Sequence, residues 1–178
     1  FAIKEKPVLV HCEDEQTIRE NLQTAIGKYG EEIPFEEHEN IRSRKACIKS
    51  SIRALELAIK HGTRLGLCHI STKEEIEMVR AAKSNNPDIV AETSCNYLWF
   101  SNEDYERMGS RLKCNPSVKT PQDIQREKMK WQQQKMKAAP KKDTRQKPPG
   151  ERREPTFDVS AFTSKAVGIK YTPPKDDD

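Results

Sequence analysis

The sequence predicts an α/β fold in which a parallel sheet is covered by helices, and two observations carry that prediction. Short, nearly continuous apolar runs recur as "PVLVH" (7–11), "RLGLCHIS" (64–71) and "DIVAETS" (88–94). Each run passes directly into a segment with helical periodicity. Strands that do not alternate polar and apolar residues are buried on both faces, and strands separated by helices pair in parallel.

Taken in order, "PVLVH" leads into a helix pattern from about Glu13 to Lys28, with Tyr29-Gly30 as its C-terminal stop. A long helix precedes the second strand, since Ile48, Ile52, Leu55 and Ile59 follow one another at spacings of four, three and four. His61-Gly62 closes it. After "RLGLCHIS", Ser71-Thr72 followed by Glu74-Glu75 is a helix-start signal for "TKEEIEMVRAAK". "DIVAETS" runs into "NYLWFSNEDYERMG", and "RLKCNPSVK" (111–119) reads as a fourth strand. The pattern therefore predicts about four βα units over residues 1–120. A closed (β/α)8 TIM barrel needs roughly 200–250 residues, so this stretch is expected to supply a partial barrel.

From about Pro121 the composition changes. Residues 121–178 hold 7 of the 11 prolines, and 14 Lys and Arg against 9 Asp and Glu. The net charge of +4 thus belongs to this basic tail, because residues 1–120 hold 18 against 19. A short polar helix is expected over 121–137, followed by disorder in the Lys/Pro-rich remainder. The tail has few aromatic residues and no nucleic-acid-binding motif, so a nucleic-acid partner is not expected. No apolar run is long enough to span a membrane. Five cysteines without a CxxC pair predict reduced, mostly buried thiols and a cytoplasmic location.

Four histidines are candidates for chemistry. His61 sits at a helix C-terminus, where the dipole favours a surface imidazole. His38 falls in the loop ahead of the long helix. His11 and His69 each fall at the carboxyl end of an apolar strand, the edge that carries the chemistry in parallel α/β folds. Their equivalent positions predict shared ligation of a metal, and neutral imidazole suits zinc.

In order and spacing, "VLVHCEDE", "HENIRSRKACIKSS", "RLGLCHIST", "AETSCNYLWFSNEDY" and "LKCNPSVK" resemble the middle of a dihydroorotase, over about residues 1–125. That family belongs to the amidohydrolase superfamily of metal-dependent (β/α)8 barrels. The resemblance implies that His11 and His69 ligate the same zinc of a binuclear centre and that Asn115 touches the dihydroorotate ring. The implied reaction is the reversible hydrolysis of a cyclic amide in pyrimidine biosynthesis.

Departures from the family pattern qualify this expectation. The sequence has no HxH pair, no bridging lysine in a matching block and no DHAP block. The chain is therefore expected to be a piece of a longer protein, inactive alone, with an oligomer or a missing barrel half as its implied partner. Asn96 and Tyr97 stand where the family has paired histidines, as they do in the related dihydropyrimidinases and hydantoinases. A hydantoinase-like hydrolase and a non-catalytic binding relative are accordingly the alternatives.

Overall fold

A computed structural model describes residues 5–124, and the expectations for the tail beyond them lie outside the described residues. Three strands, β1 (Val8–His11), β2 (Leu65–Cys68) and β3 (Ile89–Ala91), form a sheet in the order β1-β2-β3. Both pairings are parallel; Val8 stands opposite Leu65 and His11 opposite Cys68, while Leu65 faces Ile89. The parallel α/β class is as the apolar runs predict.

Helix α1 (Glu15–Tyr29) starts where the Asp14 carboxylate accepts the Thr17 N–H, and stops at Gly30, whose φ of 67° suits a residue without a side chain. The short α2 (His38–Ile41) precedes the long α3 (Arg44–His61), which ends at the left-handed Gly62. Helix α4 (Lys73–Ala82) begins with the predicted capping box, in which Thr72 and Glu75 bond each other's main chain. The Glu75 carboxylate is buried and also takes bonds from the Ser51 hydroxyl, at 2.7 Å, and the Ser71 N–H. Burial pushes its pKa up, against those hydrogen bonds.

The core lies on one side of the sheet. Ile48, Ile52, Leu55 and Ile59 of α3 pack with Met78, Val79 and Ala82 of α4 onto Leu65, Leu67 and Ile89. The predicted four-three-four spacing is the buried stripe of α3. Alternate strand residues point the other way. Leu9 and Val90 flank Gly66 there and are 67% and 54% exposed, so among the described residues nothing covers that face.

Residues 111–119 do not form the predicted fourth strand. A 3-10 turn (Gly109–Leu112) precedes an irregular segment containing a cis Asn115–Pro116 bond. Pro116 has no N–H to give a sheet ladder, and the neighbouring carbonyls are bonded by side chains instead. This segment, α5 (Cys95–Trp99) and α6 (Tyr105–Met108) form a second cluster of Tyr97, Tyr105, Leu112 and Val118, closed by Phe35. Pro121–Asp123, within the expected tail helix, is a 3-10 turn whose Asp123 is buried.

Candidate metal centre

His11 is the last residue of β1, and its ring stands on the uncovered side of the sheet with Leu9. His69 is reached differently from the prediction. Strand β2 ends at Cys68, and His69 follows it with φ 46°, in the left-handed region. That turn is unusual for a residue with a side chain. It matters because a residue continuing β2 would alternate to the helix-covered side; the turned backbone instead brings the ring back to His11. The Ile70 N–H bonds the Glu92 carbonyl and Thr93 bonds the Ile70 carbonyl, so the turn is fastened to the end of β3.

The result is a close pair. His11 Nδ1 and His69 Nε2 lie 2.8 Å apart, and the ring centroids 4.8 Å. Partial burial, with the neighbouring His11, holds the His69 pKa below its ordinary value. A neutral imidazole offers a lone pair, which a metal requires. Two Zn–N bonds of about 2.1 Å at a tetrahedral angle place their nitrogens about 3.4 Å apart, so the rings need to part by only a little. The pair therefore fits zinc as two donors. Among the described residues no group of three or more His, Cys, Asp or Glu side chains is placed to hold a metal ion.

Around the pair runs a polar network that the sequence does not announce. Arg42 Nη1 donates to Glu13 Oε2 at 2.5 Å, two residues beyond His11. The Arg42 carbonyl accepts from Ser117 Oγ at 2.9 Å and from the buried Lys119 at 3.1 Å. Burial lowers the pKa of both His69 and His38, and the Arg42 guanidinium adds to the effect on each. Burial raises the Glu13 pKa against the pull of Arg42.

Asn115 is exposed at the tip of that loop, between Cys114 and the buried Pro116. No hydrogen bond among the described residues joins it to either histidine. His38, expected in an irregular loop, opens α2 instead. Its Nε2 bonds the Cys114 carbonyl at 2.9 Å, and its ring stacks on Phe35. The Phe35-His38 spacing of three was the available signal for that contact.

The thiols divide as burial dictates. Cys12 and Cys47 are buried, which raises their pKa to about 11 and about 12. Cys68 is buried too, while Cys95 is exposed and Cys114 half-buried, so most of the thiols are buried as expected and these last two are not.

The two imidazoles thus meet at the carboxyl edge of a parallel α/β sheet, and comparison with known proteins shows what such a chain is similar to. The chain is 32% identical over 135 residues to an allantoinase of Escherichia coli O139:H28, and 31% to that of Escherichia coli strain K12 / DH10B. Those residues are 71% of this chain and 27% of each relative, so the chain spans about a quarter of the relatives' length. Among solved structures it resembles the L-hydantoinase (dihydropyrimidinase) of Arthrobacter aurescens, with a TM-score of 0.60 and 24% identity over 68% of this chain and 26% of that one. The D-hydantoinase of a Thermus species gives 0.63 and 19%, over 71% and 27%. No family model matches. Over part of its length the chain therefore has relatives in the amidohydrolase superfamily, with a fold shared with the TIM-barrel hydantoinases. The relatives are allantoinases and hydantoinases, so the superfamily expected from the sequence stands and the narrower assignment to dihydroorotase is not what they display.

Proposed function

We propose that residues 5–124 are the metal-binding and ring-facing segment of a zinc-dependent cyclic-amide hydrolase of the allantoinase and hydantoinase kind. The observation that carries this reading is the facing of His11 Nδ1 and His69 Nε2 at 2.8 Å, at the carboxyl ends of adjacent parallel strands of a hydantoinase-like fold. The likeness to allantoinases supports a substrate with a cyclic ureide, a ring of alternating C=O and N–H groups. Dihydroorotate contains the same unit, and the five sequence blocks ending in "CNPSVK" keep it as the second reading.

In this reading His11 and His69 hold zinc through the two nitrogens that face each other. When bound, zinc lowers the pKa of water and polarises a carbonyl, the two needs of amide hydrolysis. The chain's own residues orient the donors. The left-handed His69 aims its ring, and the Arg42–Glu13 pair fixes the backbone just past His11. Asn115 presents an amide with both donors and an acceptor, matching the N–H and C=O edge of a ureide. Cys12 and Cys47, whose thiols burial keeps protonated, pack rather than ligate.

The test is a transplant. Residues 5–124 replace the matching segment of the Escherichia coli K12 / DH10B allantoinase, and the chimaera is assayed on allantoin, hydantoin, dihydrouracil and dihydroorotate. The expected result is hydrolysis of at least one ring, lost on His11→Ala or His69→Ala. A folded chimaera whose activity survives both substitutions would overturn the proposal.

A further inference from the structure

Residues 113–119 lie in neither strand nor α-helix, so their buried carbonyls have no ladder to bond and must find partners elsewhere. Water could satisfy such groups at a surface. Here two side chains from separate parts of the chain do it. His38 Nε2, from α2, bonds the Cys114 carbonyl at 2.9 Å, and Tyr97 Oη, from α5, donates to the Pro116 carbonyl at 2.7 Å. A carbonyl only accepts, so His38 carries its proton on Nε2. The two carbonyls belong to the residues immediately before and after Asn115.

Both partners are themselves held. Tyr97 is 7% exposed within the aromatic cluster. His38 stacks on Phe35, whose ring meets Tyr105 edge-on with centroids 5.2 Å apart. Beyond Pro116, Ser117 Oγ and Lys119 bond the Arg42 carbonyl, so the far end of the loop is tied to the same segment as His38. Asn115 is exposed immediately ahead of a buried run, 116–119. A flexible amide on a mobile loop loses freedom when it grips a ring, and an amide whose flanking peptides are already pinned loses less.

We infer that His38 and Tyr97 are positioning residues, which pin the carbonyls on either side of Asn115 and so fix its amide for two-point pairing with a cyclic ureide. The inference rests on the reading of Asn115 as the residue that meets the ring.

The test uses the full chain with saturating zinc, titrated with hydantoin and then with dihydroorotate. The Asn115 side-chain amide is followed by NMR, and zinc affinity is measured in parallel. In the wild type, one ring shifts the Asn115 resonance. Tyr97→Phe and His38→Leu each weaken that ring's binding about tenfold, the effect of losing one hydrogen bond that orders the site, while zinc affinity stays put. His38→Gln, which keeps an N–H at similar reach, restores most of the loss. A merely structural role would lower zinc and ring affinity together and gain nothing from glutamine. Ring affinity unchanged in both Tyr97→Phe and His38→Leu overturns the positioning role and leaves the Asn115 reading intact. A wild type in which neither ring moves Asn115 overturns the reading and the inference with it.

Discussion

His11 and His69 make one atom-to-atom contact, on which the proposed chemistry turns. Zinc binding by the full chain is expected to be weak, because two imidazoles leave the remaining positions to water. Isothermal titration with zinc should show one site in the wild type and none in His11→Ala or His69→Ala; a site surviving either change would return both residues to a structural role. His38 supplies a pH prediction. Burial is the largest cause of its depressed pKa, with Arg42, Lys113 and Lys119 adding to it against the bond to Cys114. A base whose folded pKa lies below its ordinary 6.5 is protonated more readily in the unfolded chain. Its contribution to stability is thus present above pH 6.5 and is lost as pH falls below that value towards the folded pKa. Urea unfolding at pH 7.5 and 5.5 should show the wild type losing more stability than His38→Gln between the two. An equal loss would place the dependence on other groups.

At the scale of elements, the ends of strands and helices carry more information than their middles. Arg44 opens α3 and donates to Glu74 at 2.5 Å and to both oxygens of Asp123. Asp123 also accepts the Lys73 N–H, capping the start of α4. Burial opposes ionisation of Asp123, yet Arg44 and these N–H bonds hold its pKa below the usual carboxylate range. One carboxylate therefore fastens three segments: α3, α4 and the turn at Pro121–Asp123. Removing it leaves a half-buried guanidinium without its main partner. Asp123→Ala is expected to cost about 3 kcal/mol, at the lower end for a broken buried pair. Thermal unfolding would check this, and a change below about 0.5 kcal/mol would reduce the cluster to a surface pair.

At the scale of the described residues together, one face of the sheet is left uncovered. Leu9, Gly66 and Val90 form an apolar floor leading to the histidine pair, with no covering layer among the described residues. No helix among them is long and apolar enough to cross a membrane. With only two donors at the histidine pair, the purified chain is expected to hydrolyse allantoin, hydantoin and dihydroorotate no faster than zinc alone. Turnover above that control, removed by a chelator, would show that residues outside 5–124 complete the site. Much of this was legible beforehand. The continuous apolar runs specified parallel strands, the periodicity specified the face of α3, and Thr72 with Glu75 specified where α4 begins. All are local patterns, set by side-chain period and main-chain capping within a few residues. The fourth strand was not legible, because an apolar count over 111–119 ignores that the buried carbonyls there find partners 76 and 19 residues away, at His38 and Tyr97. Nor was the approach of His69 to His11, which are 58 residues apart and meet through a left-handed turn that a histidine rarely adopts. Such contacts follow from how finished elements pack, and only the tertiary structure decides them.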